Sequence, residues 1–368
     1  MTDLPMSDLR IKRRDVLKGA VAVAAGTILS PHVSRAATKK VTFTLPWVPE
    51  GGNLFAYVAK ANGYWEKAGL DVTISRGYGS VAAAQAIGNG QFDFGLAAAS
   101  AGLQQSAKGL PIVQFMSCGY DSTMGICFRD DSAVKSVKDL EGRRLGGTAT
   151  SGEFPFLGAF AEKAGFDLKK VEIVQVDAAV RQRILTEKQV DAICGFAVSF
   201  LPVFAANGLK TRFTLFSKYG LSFYANTLMT QPDRIAKDPE ACQGIADGIA
   251  QAMHFCLLNP DKSLEIFFKQ VPEAALTATG RTQMKVGLGI FRIALLNDIL
   301  RKEAIGFSPP ADYEAMTDLV MTHLAAPGDK RPTIDEVLTN KFVGSVRLTA
   351  DEFKTASDGA AEFASYLA

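Results

Sequence analysis

Histidine is scarce in this chain: His32, His254 and His323 are the three among 368 residues. The last two fall in expected helices remote from any expected crevice, so no Ser/His/Asp set for nucleophilic catalysis can be assembled. Glycine-rich phosphate loops are also missing. No GxGxxG follows the first expected strand and no GxxxxGK[ST] occurs, which argues against a dinucleotide or nucleoside-triphosphate enzyme. Cysteine is sparse and unpatterned. Cys118, Cys127, Cys194, Cys242 and Cys256 form no CxxC and no Cys/His ligand spacing, so neither a metal nor another cofactor is expected. Buried free thiols are the simpler expectation, with a Cys118–Cys127 bridge left open. No apolar run reaches the roughly 20 residues of a membrane span.

The first 36 residues differ in character from the rest. Arg13 and Arg14, followed by Asp15, Val16, Leu17 and Lys18, precede an apolar run over 19–29, and Ser34 and Ala36 sit where a signal peptidase reads small residues. A basic head, a short apolar middle and a small-x-small exit make an export signal. The arginine pair resembles the twin-arginine type, which carries folded proteins. An uncleaved anchor is the alternative, disfavoured by a run this short and this rich in Ala and Gly. No cysteine precedes Cys118, so no lipid is expected at the cleavage site. Cleavage between Ala36 and Ala37 removes six Lys/Arg and three Asp/Glu from totals of 40 and 38, leaving 34 against 35. A body so near neutrality has no global field to draw nucleic acid or anionic lipid. A soluble periplasmic protein is expected.

Beyond the signal, strand and helix patterns alternate. Strands are expected over 40–45, 71–75, 92–97 and 112–118, with helices over 53–66, 80–89 and 102–108 between them. A second unit follows: strands over 144–147, 171–176 and 190–194, helices over 154–163 and 181–187, then return strands over 213–215 and 223–229. From residue 239 onward the pattern is mostly helical. Two βαβ-rich units predict an α/β fold of two parallel-sheet lobes with a cleft between them. Loops at the carboxyl ends of strands line such a crevice.

Several strings carry a family likeness in order along the chain. They are WVP at 47–49, YVAKANGYWEKAGLDV at 57–72, GNGQFDFG at 88–95, VKDLEGRRL at 137–145 and QVDAI at 189–193. Together they resemble the NMT1/THI5-like group of solute-binding proteins, which serves nitrate, sulfonate, taurine and thiamine-precursor transporters. The resemblance implies a bilobal periplasmic-binding-protein-like fold of type II. One lobe would span 38–128 plus 226–368 and the other 129–225, with the hinge near Arg129–Asp131 and at 223–226. It further implies a monomeric carrier that catalyses nothing, takes no cofactor, and hands a small solute to the membrane permease of an ABC importer.

Candidate solute contacts follow from the strand ends. Trp47 follows the first strand in a Pro-flanked loop and offers an aromatic plate, or else lies in the lobe core. Asn53 and Phe55 open the next helix. Thiamine-precursor binders commonly carry His and Thr where this chain has Asn53 and Leu54, which argues against a pyrimidine solute. Ser100 ends the third strand and either meets the solute or caps a helix. Tyr120 ends the fourth strand. The turn holding Thr148, Thr150, Ser151 and Glu153 presents N–H groups and hydroxyls that suit an anion or polar edge. Capping alone is the alternative there, Thr150 and Glu153 forming a capping box. Glu153 favours a solute with N–H groups or positive charge. Asp177 is read as a contact or a helix cap, Phe196 as a second aromatic wall, and Tyr224 as a contact or a hinge residue. The preferred function is solute capture for import, of a nitrogen-bearing, aromatic or sulfonate-like solute. A synthase of the same superfamily and a periplasmic sensor are the alternatives.

Overall fold

The computed structural model describes residues 38–177 and 180–367. The expected signal and its cleavage site lie outside them. The body is α/β and two-lobed, built on two five-stranded sheets. The first contains β1 (Lys39–Thr44), β2 (Leu70–Ser75), β3 (Phe94–Ala98), β4 (Val113–Ser117) and β10 (Asn226–Thr230). The second contains β5 (Met124–Arg129), β6 (Arg144–Gly147), β7 (Glu172–Gln175), β8 (Ala192–Phe196) and β9 (Thr211–Leu215). Their orders are β2-β1-β3-β10-β4 and β7-β6-β8-β5-β9.

The sheets are mixed, where parallel-sheet lobes were expected. β10 runs antiparallel to β3 and β4, and β5 runs antiparallel to β8 and β9. Each of these two strands reaches its sheet directly from the other lobe. β5 also moves the first crossing to residues 118–123, ahead of the expected hinge at Arg129–Asp131. The two crossings lie side by side: Cys118 N–H donates to Asn226 O at 2.8 Å, Ala225 N–H to Gly119 O at 3.0 Å and Ser122 N–H to Phe223 O at 2.8 Å.

The principal helices are α1 (Phe55–Ala61), α2 (Ser80–Gly88), α3 (Ala99–Ala107), α4 (Leu157–Ala164), α5 (Arg181–Thr186), α6 (Ala197–Ala206), α7 (Pro239–Leu258), α8 (Pro260–Gln270), α9 (Ala278–Leu295) and α10 (Pro310–Leu324). The helix expected over 53–66 is broken by Gly63, whose φ of 67° only glycine adopts cheaply. The core of the first lobe joins Phe43, Phe94 and Phe115 of its sheet to Trp65, Ile249 and Met253 of the covering helices. A second cluster runs across the lobes, from Ala98 and Leu103 to Phe156 and Phe223. A third joins Phe200 and Phe204 of α6 to Val286 and Ile290 of α9. The cysteines are free and buried. Cys118 and Cys127 belong to different lobes and form no bridge. His254 is half-buried against Glu352 at 3.2 Å, a pairing the apolar run around it did not announce.

Candidate functional site

The carboxyl ends of β1, β3, β6 and β8 meet where the two lobes face each other. At this seam Gly79 is required by close approach: a Cβ there would lie 2.1 Å from the Thr150 carbonyl oxygen, and its φ of 120° disfavours any side chain. Val81 N–H donates to Thr150 O at 3.1 Å, and the Thr150 hydroxyl donates to Tyr78 O. Gly152 is pressed among Ser80, Ala98 and Phe196, each 3.3 Å from where its Cβ would sit. The turn after β6 therefore docks on the opposite lobe.

That docking decides the capping question. The turn beyond it starts at Phe154, with Glu153 at the N-cap position making no side-chain cap. Thr150 spans the seam and caps nothing. Thr148 donates to Val176 O at 3.0 Å and ties β6 to β7. Ser151 donates to Glu153 Oε2, and Arg181 Nη1 donates to Glu153 Oε1 at 3.1 Å. Arg181 and Glu153 side chains are 1% and 0% exposed. The guanidinium lies between two aromatic rings, 4.8 Å from Trp47 and 4.5 Å from Phe200. Its Nε is buried without a protein partner. Burying an ion pair is costly unless every donor is met, so this one is under-served.

Glu153 was expected to welcome a cationic solute; Arg181 already meets its charge. Arg181 itself is the residue that sequence reasoning missed. It begins α5 just after β7, a strand-to-helix transition of the same kind that drew attention to Ser100 and Thr150, and that signal was available. Cys194 adjoins the pair. Burial pushes its thiol well up, and Glu153 adds to the effect. A thiol so held is protonated and a poor nucleophile.

Trp47 is buried at 7% exposure, against the Arg181 face. Asn53 holds the Trp47 loop from within: its Oδ1 accepts from Glu50 N–H at 3.0 Å and its Nδ2 donates to Val48 O at 2.9 Å. Its side chain thus has a positioning role. Phe55 leaves the group altogether, stacking on Phe291 at 5.2 Å in the lobe core. Ser100 sits inside α3 and is no cap, since Ala98 holds the N-cap position. Its hydroxyl is buried without a protein partner. Phe196 is half-buried beside Gly152. Asp177 is exposed at the end of β7, and Val180 holds the N-cap position of α5 without a side-chain cap.

Tyr120 and Tyr224 gather elsewhere, on the paired crossings. Their rings meet edge-on at 5.2 Å; Tyr120 donates to Phe307 O at 3.0 Å and Tyr224 donates to Asp312. They line a separate pocket of 270 Å³ with Asp121, Asp312 and Met316. Among the described residues no His/Cys/Asp/Glu cluster fit for a metal occurs, and no helix is long and apolar enough to cross a membrane.

The model of the NMT1/THI5-like family matches residues 53–263, more than half of the sequence. The chain belongs to the NMT1/THI5-like family. It is 26% identical over 225 residues to a putative binding protein of Brucella abortus, covering 59% of this chain and 67% of that one. It is 24% identical over 237 residues to the 4-amino-5-hydroxymethyl-2-methylpyrimidine phosphate synthase of Candida albicans, covering 61% and 69%. The solved structure of the alkanesulfonate-binding protein SsuA from Xanthomonas axonopodis pv. citri, bound to MOPS, superposes with a TM-score of 0.61 at 16% identity, over 83% of this chain and 99% of that one. That likeness shows the fold, two lobes with a periplasmic-binding-protein architecture.

Proposed function

We propose that this protein is the periplasmic solute-binding component of an ABC importer. It captures a small organic solute where its lobes meet and delivers it to a membrane permease. The observation that carries this reading is the Arg181–Glu153 pair, fully buried at the seam between Trp47 and Phe200, with Arg181 Nε unmet. A buried, incompletely satisfied cation stabilises nothing by itself; a solute acceptor group beside it supplies the missing bond. The aromatic faces suit an apolar or planar body. The solute class that fits is therefore a small sulfonate, carboxylate or acceptor-bearing heterocycle. The export signal expected from the sequence, the near-neutral charge expected once it is removed, and the kinship with proteins named as binding proteins support the same reading.

The relatives named as synthases make an enzyme the competing reading. Cys194, beside the pair, is held protonated, which favours binding over nucleophilic chemistry. Isothermal titration against sulfonates, carboxylates, heterocycles and amines tests the proposal. Saturable binding to a member of the first three classes, weakened by Trp47→Leu, is expected. No binding across the panel sinks it.

A further inference from the structure

Glu50 lies on the β1–α1 loop of the first lobe and reaches the second. Its Oε1 accepts from Ser199 Oγ of α6 at 2.8 Å, and the residue is 9% exposed. Asn53 pins its backbone. The groups around it leave a carboxylate poorly served. Arg181 of α5 acts on it through space, but hydrogen-bonds to Glu153. Helix α6 adds the methyls of Val198, packed on Gly52, and α9 packs Gly287 and Leu288 against Gly51. The basic side chains of α9 are engaged elsewhere. Lys285 faces Glu362, Arg281 lies over Phe268, and Arg292 donates to the carbonyls of Leu257, Ala356 and Gly359. An ionised group here loses its water and regains one hydroxyl and a cation already paired.

We propose that Glu50 couples closure of the lobes to uptake of one proton: the closed seam holds it as a neutral acid, and a parted seam exposes it as a carboxylate. This rests on the solute-carrier reading for the opening motion alone. Burial lifts its pKa from 4.5 to about 7, with Ser199 and Arg181 pulling partly back. The closed form thus binds the proton more tightly. Acidification from above 7 toward 4.5 favours closure, and above 7 the closed form carries a buried charge. Across that range the closed-to-open ratio falls by roughly 100-fold as pH rises. Solute is held more firmly in acid and released more readily at neutral to alkaline pH.

Small-angle X-ray scattering of the full chain from pH 5 to 8.5, with carbon-13 titration of the glutamate carboxyls, tests this without any solute. The wild type should expand as pH rises, and the Glu50 carboxyl should titrate near 7. Glu50→Gln, a neutral isostere, should stay compact throughout. Ser199→Ala removes a bond that favours the charged form and should move the midpoint upward. A Glu50 carboxyl titrating near 4.5, a wild type whose dimensions ignore pH, or an unchanged response in Glu50→Gln each overturns the proposal. A chain that compacts in acid yet binds nothing in the solute panel keeps the proton coupling and discards the carrier. One that binds a solute equally well at pH 5.5 and 8.5 does the reverse.

Discussion

The buried pair at the seam and the two tyrosines of the crossings differ in how their polar atoms are met. At the crossings, Tyr120 and Tyr224 each give their hydroxyl to a protein acceptor and brace each other edge-on. At the seam, Arg181 Nε has no protein partner although the residue is wholly buried, and the same holds for the Ser100 hydroxyl. A satisfied buried group fixes geometry, whereas an unsatisfied one is costly until something else bonds to it. Position after a strand nominates a residue for a crevice. Satisfaction of its hydrogen bonds separates contact from scaffold.

The strongest way to break this contrast is to remove one partner of the seam pair. Arg181→Met should leave Glu153 buried and unpaired, lowering stability by about 3–5 kcal/mol in urea unfolding. The double change Arg181→Met with Glu153→Gln should recover most of that loss. If the single variant is as stable as wild type, the pair is not buried as described. Next comes pH. Because the folded pKa of Glu50 is raised from 4.5 to about 7, its contribution is full below 4.5 and lost as pH rises to 7. Thermal stability should therefore fall over that range by up to about 3 kcal/mol, and Glu50→Gln should flatten the decline. Trp47→Leu should weaken solute binding about tenfold by titration calorimetry, the effect of losing one central aromatic contact. Smallest of all, Tyr224→Phe should cost about 1 kcal/mol and leave solute affinity unchanged. A tenfold loss of affinity there would transfer the solute site to the crossings.

Most of the strands were legible because alternation and glycine punctuation mark their ends. β5 was not. Its residues Met124, Gly125, Ile126, Cys127 and Phe128 are buried on both faces, so no polar alternation sets it apart from a core segment. Helix α6 was hidden by Pro202 within it, which reads as a helix breaker. Missing β5 displaced the first crossing by one strand. Trp47 and the Thr148–Glu153 turn, named from strand ends, both lie at the seam. Phe55 was misplaced because its helix turns that face toward Phe291, a choice that long-range packing makes and local sequence does not. Arg181 went unread because a basic residue opening a helix looks like solvent-facing charge; only the fold reveals that Trp47 and Phe200 enclose it.

The exchange of β5 and β10 between the lobes also governs the order in which the chain can finish folding. β10 lies between β3 and β4, so the first sheet lacks its fourth strand until residue 230 has been made. Until then β3 and β4 each present a bare edge flanked by apolar side chains, the kind of edge that recruits a neighbouring chain. A fragment ending within the second lobe would therefore be no smaller version of the protein. It would be a sheet with a gap in it, prone to borrow its missing strand from another molecule.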